Sequence, residues 1–432
     1  MYPIAIGFSL FAFFILAVPI AITLAMTSAI TMYSSGIPLQ AMVQRMFAAL
    51  DSFPLTAIPF FVLAGALMEV SGISTRLVNF AQSLVGRATG GLGLVAVMSA
   101  MFFAAISGSS AATTAAIGGI LIPAMSRRGY PRPFATSVQA SSGELGVIIP
   151  PSIPMIIFAL TAGVPVSIGD LFLAGIFPGF LVAGGLMFTV YIISKRNGYG
   201  KTQGQDGLLP GERDGVWKSF KAAILPLMLP VMILGGIYGG IFTPTEAAAA
   251  AVGFALVVGG LIFRSISFDG LMTALRSSLL NTVVVLLIIS AASVFGWVLT
   301  ANRIPEMVSQ FFIAISDNPL VFLALINLML LIVGMFLETG AAITILAPIL
   351  TPVAVKLGID PLHFGIVMIV NLAVGMTTPP VGVNLFVACQ IAGLRVEQIL
   401  KSMLPFYAAL LICLAIITYL PELSLWLPTA LK

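Results

Sequence analysis

Two stretches decide the fold: Gly146-Val147-Ile148-Ile149-Pro150-Pro151 and Gly375-Met376-Thr377-Thr378-Pro379-Pro380. Each interrupts an apolar run, 134–163 and 363–392, that is otherwise long enough to cross a bilayer as one helix. Two consecutive prolines remove two backbone donors and clash with the carbonyls one turn back, so the helix breaks and those carbonyls need another partner. A shift of 229 positions lays Pro150-Pro151 on Pro379-Pro380, and with them Gly146 on Gly375, Pro123 on Pro352 and Gly129 on Gly358. Coincident prolines and glycines mean coincident breaks in backbone geometry, which is how a repeat persists while apolar side chains drift. One Pro-broken helix is explained by packing. Two at matched positions, each beside a polar hairpin, point to a site.

The composition around these breaks excludes a soluble globular protein: 59% of the 432 residues are hydrophobic and 8% are charged, against roughly 25% charged in soluble domains. The apolar blocks are continuous, not alternating, so the expected class is an all-α polytopic membrane protein and not a barrel. The same composition excludes intrinsic disorder and a secreted disulfide scaffold, and Cys389 and Cys413, both in apolar helical stretches without ligand spacing, read as small core hydrophobes. The net charge of +4 is the Lys and Arg excess of cytoplasmic loops and does not ask for a nucleic acid. The start, Met1 to Phe8, has no basic n-region and is read as the beginning of a first span, Ile4 to Thr31, and not as a cleaved signal.

The polar stretch 195–221 carries six Lys and Arg against three acids and is cytoplasmic by the positive-inside rule. Its Gly200-Lys201-Thr202 lacks the leading glycine of a phosphate loop, so it reads as a linker. Upstream, Gly91 to Ile106 and Ala111 to Met125 are slightly short for crossings and flank Ser107-Gly108-Ser109-Ser110, with arginines outside both ends. This predicts a re-entrant hairpin, about 91–125, with hydroxyls and bare backbone at its tip. Leu320 to Leu337 and Ala341 to Val355 repeat the pattern around Glu338-Thr339-Gly340, about 320–355, without basic flanks, so the two hairpins enter from opposite sides. Spans are expected at Ala222 to Gly240, Ala247 to Phe263 and Asn281 to Thr300. The resulting organisation is a first inverted repeat over 1–194, the loop 195–221, a linking span 222–240 and a second inverted repeat over 241–432. Inverted repeats, broken helices and midplane sites occur together in secondary transporters, where unwound carbonyls hold coupling ions.

Polar residues in these segments carry alternatives. Thr243-Pro244-Thr245-Glu246 has the pattern of a capping box, which makes Glu246 structural. Glu338 could attract a cation, take a proton or cap the following helix. Glu144 could bind an ion, pair with an Arg or face a water-filled cavity. Asn371 and Asn384 bracket the second break, where they could bind a ligand or bond between helices. His363, the only histidine, is read as interfacial. The amphipathic pieces Pro38 to Leu50, Ser74 to Val85, Ser267 to Ser277 and Pro305 to Ile315 are expected along the interface, with Arg45, Arg76 and Arg276 snorkelling.

The run Gly236 to Ala247, the tip Ser107-Gly108-Ser109-Ser110-Ala111, and Asp360 to Gly365 with Gly375 to Phe386 together resemble the large permease subunit of tripartite ATP-independent periplasmic (TRAP) transporters, over essentially the whole chain. The resemblance implies an elevator-type fold in the bacterial inner membrane. It also implies Na⁺-driven uptake of an organic acid anion, with Na⁺ as coupling ion and no other cofactor. The partners it implies are a small membrane subunit and a periplasmic substrate-binding protein, with no small-subunit segment fused ahead of Met1. Carried over by motif, one Na⁺ site would use Ser107, Ser110, Gly146, Ile149 and Pro151, and the other Gly340, Gly375, Thr378 and Pro380. The substrate carboxylate would lie near Gly108, Ser109, Ser152, Thr339 and Asn384, and Leu337 to Ala341 resembles dicarboxylate-type members more than sialic acid-type ones.

An intramembrane enzyme would need a nucleophile with its base or a metal cluster, and neither has its residues here. A channel shares polar re-entrant loops, but hairpins entering from opposite sides suit alternating access better.

Overall fold

The computed structural model describes residues 2–16, 18–200, 215–315 and 318–431, and every regular element among them is helical. Among the described residues, seven helices are long and apolar enough to cross a membrane, eight if the pair Arg132–Ile148 and Ile153–Thr161, bent by 45°, counts as one span. The two halves follow one order. Hairpin arms Gly91–Ser107 and Ser110–Arg127 precede the first broken helix, made of Arg132–Gly143, Leu145–Ile148 and Ile153–Thr161. Arms Pro319–Gly334 and Thr339–Lys356 precede the second, made of Pro361–Met376 and Val383–Ala392.

Local chemistry sets these bounds. Gly108 closes the first arm in the left-handed region (φ 61°), a conformation that costs a residue with a Cβ 1–2 kcal/mol, and Ser109 caps the return arm by accepting from the Ala112 N–H. Helix Pro361–Met376 is capped by Asp360, whose side chain accepts from the Leu362 N–H at 2.8 Å. Almost all of its residues are buried, as a helix apolar on every face requires. Gly334 and Gly375 let two backbones touch here: a Cβ on Gly375 would lie 2.5 Å from the Gly334 Cα. Each hairpin packs on the broken helix of its own half, and its return arm also packs on the short post-break helix of the other half. The hairpins and broken helices thus form one interlocked unit. Long helices Ile168–Asn197, Phe268–Ala301 and Val396–Tyr419 pack around it.

Several bounds differ from expectation. The expected first span is two helices, Tyr2–Ile15 and Ile20–Ser34, because Pro19 has no N–H and forces the residue before it out of helical geometry. The expected interfacial piece 267–277 is not separate but runs unbroken into the next span as Phe268–Ala301, since nothing between Ser277 and Asn281 stops a helix. Its counterpart in the first half, Leu39–Leu50, does stop, at Asp51 ahead of Phe53-Pro54. The loop 195–221 is narrower than expected, with helices reaching Asn197 and resuming at Val216; its centre, 201–214, lies outside the described residues, as do Ser316 and Asp317. Arg45 and Arg76 stack on Trp297 and Phe263, 4.2 and 3.7 Å from the ring centres. His363 is buried, with Nε2 3.2 Å from the Thr418 carbonyl. Both cysteines are free and buried.

Candidate functional site

The first hairpin tip lies on the first break. The Ile153 N–H donates to the Gly108 carbonyl at 3.4 Å. Gly146 faces the Ser109 carbonyl so closely that a Cβ would overlap it, and a Cβ on Gly108 would stand 2.9 Å from the Pro151 carbonyl. The Ser107 and Thr113 hydroxyls bond to each other at 2.9 Å, and Thr113 also donates to the Ser109 carbonyl at 2.8 Å. Pro151 deprives the Val147 carbonyl of its helical donor, and the buried Ser152 hydroxyl replaces it at 2.7 Å. Pro150 likewise offers no N–H to the Gly146 carbonyl.

The second tip repeats the contact. The Gly382 N–H donates to the Met335 carbonyl at 3.2 Å, just as Ile153 does to Gly108. Within the break the Thr378 N–H turns back to the Gly375 carbonyl at 2.8 Å, the Thr377 and Thr378 hydroxyls both donate to the Val374 carbonyl, and the Tyr407 hydroxyl donates to the Thr377 carbonyl at 2.6 Å. Pro380 leaves the Met376 carbonyl without a helical donor. The Met376 thioether accepts from the Thr339 hydroxyl at 2.9 Å and stands 4.0 Å from the Ser110 hydroxyl.

The alternatives for the polar residues now separate. Glu144 has no exposed surface, and its Oε1 accepts from the Asn384 Nδ2 at 2.6 Å, tying the first broken helix to the post-break helix of the second. Its Oε2 and the Asn384 Oδ1 have no hydrogen-bond partner among the described residues. Asn371 bonds between helices, donating to the Asn327 carbonyl and Oδ1 at 3.0 and 2.7 Å. Glu338 caps the return arm by accepting from the Ala341 N–H at 3.3 Å. Glu246 closes a full capping box with Thr243.

Of the residues proposed for the first ion, Ser107, Gly146 and Pro151 meet at the tip, Ser110 faces Met376, and the Ile149 side chain turns toward Gly179. Of those for the second, Gly375 lies on Gly334, Gly340 lies against Ile157 and Glu338, Thr378 bonds within the break and Pro380 stands exposed. Among the proposed substrate residues, Gly108 and Ser109 form the first tip, while Ser152, Thr339 and Asn384 are buried in the bonds described above. Tyr407 and Met376 escaped sequence reasoning. Tyr407 lies 30 residues from its partner with no local signal, whereas Met376 stood inside the quoted break.

Paired hairpins on paired helix breaks, inside a shell of apolar spans, define a multi-pass α-helical membrane protein of transporter type. Residues 8–423 match the family model described as "Tripartite ATP-independent periplasmic transporter, DctM component". The chain is 42% identical over 98% of its length to the isethionate TRAP transporter permease protein DctMQ of Oleidesulfovibrio alaskensis, and spans 66% of that relative. It is 41% identical over 91% of its length to the sialic acid TRAP transporter large permease protein SiaM of Vibrio cholerae, 90% of which is covered. In fold it is similar to the YdaH transporter of Alcanivorax borkumensis, with a TM-score of 0.64 at 16% identity, covering 90% of this chain and 88% of that one. The chain therefore belongs to the DctM family of TRAP transporter large permeases, and is a solute-transporter subunit of the inner membrane.

Proposed function

We propose that this chain is the translocating subunit of a Na⁺-coupled importer of an organic acid anion, a C4-dicarboxylate or a similar acid. A small membrane subunit completes the permease, and a periplasmic binding protein delivers the substrate. One observation carries the reading: each hairpin tip docks on a Pro–Pro break in which proline strips a carbonyl of its helical donor, Gly146 in one half and Met376 in the other. Carbonyls freed in this way, together with tip hydroxyls, suit a small hard cation. Ser107 and Ser110 would serve one ion with the carbonyls of Gly146, Ile149 and Pro151; Gly340, Gly375, Thr378 and Pro380 would serve the other. A carbonyl already accepting one bond, as Gly375 does, keeps a second lone pair for an ion. The substrate acid group would lie near Gly108, Ser109, Ser152, Thr339 and Asn384, with helix N-termini at both tips facing its charge.

In this reading the two halves are inverted repeats, and their interlocked hairpins and broken helices move as one body against the surrounding spans. The names of the two relatives differ in substrate, isethionate against sialic acid, at almost equal identity, and both are acid anions. The test is uptake into proteoliposomes holding the chain and its small subunit, with binding protein, offering C4-dicarboxylates, sialic acid and isethionate with and without an inward Na⁺ gradient. Uptake that needs both binding protein and Na⁺ supports the reading. Flux indifferent to both makes the chain a channel and removes the basis for the ion sites.

A further inference from the structure

The two hairpins meet at one sulfur. Met376 ends helix Pro361–Met376 and is buried. Its thioether receives the Thr339 hydroxyl at 2.9 Å and stands 4.0 Å from that of Ser110. Ser110 and Thr339 are the same position in the two halves, related by the 229-residue shift, and each is the first helical residue of its return arm. Met376 has no such twin, because the position 229 residues earlier holds Val147. A single side chain from one half therefore faces equivalent hydroxyls from both tips.

The chemistry of the three groups links them. A hydroxyl has one proton and two lone pairs, and a thioether only accepts, weakly, on a flexible stem. A cation drawing on the Ser110 oxygen turns the proton away from itself and polarises the O–H, which makes it a better donor to an acceptor on the far side. The sulfur is that acceptor. We propose that Met376 is a positioning residue that couples the two tips: an ion at the first directs the Ser110 proton onto the thioether, which fixes the sulfur against Thr339 and orders the second tip for its own ion. Linkage makes the effect reciprocal. The proposal rests on the Na⁺-coupled reading above for its ions, but the joint itself is a property of the fold.

Two measurements on the permease complex test it. In thermal unfolding, Ser110→Ala and Thr339→Val should shift the midpoint non-additively by about 1–2 °C in the parent, and additively in a Met376→Leu background, which conserves volume but lacks the acceptor. In uptake, Met376→Leu should raise the half-saturating Na⁺ concentration by about fivefold, the low end of allosteric coupling, and lower the Hill coefficient, with a smaller effect on maximal rate. Met376→Gln, which returns an acceptor on a stem of similar length, should recover most of both. Additive shifts in the parent overturn the proposal, as does a Met376→Leu variant that loses maximal rate with an unchanged Na⁺ curve. If parent uptake is indifferent to Na⁺, the Na⁺-coupled reading fails. The unfolding cycle then decides the joint by itself, non-additivity abolished by Met376→Leu upholding it and additivity refuting it.

Discussion

The two breaks are made from the same residues and finished differently. The first is closed: Pro150, Pro151 and Ser152 are all buried, and helix Ile168–Asn197 lies over them with Gly175 beside the Ile148 carbonyl and Gly179 beside the Ile149 side chain. The second is open on one side, where Pro380 and Val381 are exposed. Positions 229 beyond Gly175 and Gly179 hold Leu404 and Ala408, both exposed, so helix Val396–Tyr419 does not lie over its break in the same way and reaches it through the Tyr407 hydroxyl. The same covalent device is thus covered to its prolines in one half and leaves Pro380 and Val381 exposed in the other, while the carbonyls it frees, on Gly146 in the first and on Gly375 and Met376 in the second, belong to buried residues in both. A buried carbonyl without a donor costs about 1–3 kcal/mol, so both breaks depend on their internal partners, and the halves differ in how far the prolines themselves are covered.

That comparison can be broken at several levels. The largest effect is expected from Gly146→Ala and Gly375→Ala, which should each lower uptake to less than about a tenth of the parent. The added Cβ meets backbone in both cases, the Ser109 carbonyl in one and Gly334 in the other, and backbone cannot step aside. Proteoliposome uptake normalised to folded protein measures it, and a variant at either glycine with parental rates would show that the tip does not need to dock. Next, Val381→Cys should react with a hydrophilic maleimide at least about tenfold faster than Ser152→Cys, against the low background of two buried native cysteines. Equal rates would mean the two breaks are equally covered. Smaller again, Ser152→Ala and Tyr407→Phe should each destabilise the complex by about 1–3 kcal/mol, by stranding the carbonyls of Val147 and Thr377, both on buried residues. Thermal unfolding of both variants checks this, and an unmoved midpoint in either would show that its carbonyl does not depend on that hydroxyl.

Much of this architecture is legible in the chain because proline and glycine act locally. The 229-residue shift, the hairpin arms and both breaks fall within a few residues of where Pro150-Pro151, Pro379-Pro380 and the Ser107-Gly108 tip put them. The failures are local too: hydropathy carried the first span across Pro19, and the polar face of 267–277 suggested a boundary that no breaker supplies. The site was legible only in part. Its backbone is announced by the prolines, but the groups that complete it come from far along the chain: Asn384 reaches Glu144 across 240 residues and Tyr407 reaches Thr377 across 30. Such pairs leave no periodicity to read, since they depend on how helices pack and not on how each one forms.

The smallest effect separates the tips by charge. Ser109 and Glu338 occupy the same position, 229 residues apart, and each caps its return arm by accepting from the N–H three residues on, Ala112 in one and Ala341 in the other. The closed tip therefore has a neutral cap, and the open tip an exposed carboxylate. Glu338→Ser transplants the first cap onto the second tip. Serine is as good an N-cap as an acid, so the unfolding midpoint should not move. The carboxylate, however, also places a negative charge where a cation would approach, and an exposed charge of this kind acts at a distance that salt shortens. If uptake is Na⁺-coupled as proposed, the half-saturating Na⁺ concentration of the variant should thus be about twice the parent's at low ionic strength, and the gap should close in concentrated choline chloride as screening raises the parent's value. A lowered midpoint with an unchanged Na⁺ curve would reduce Glu338 to its cap, and the two tips would then differ in cover alone.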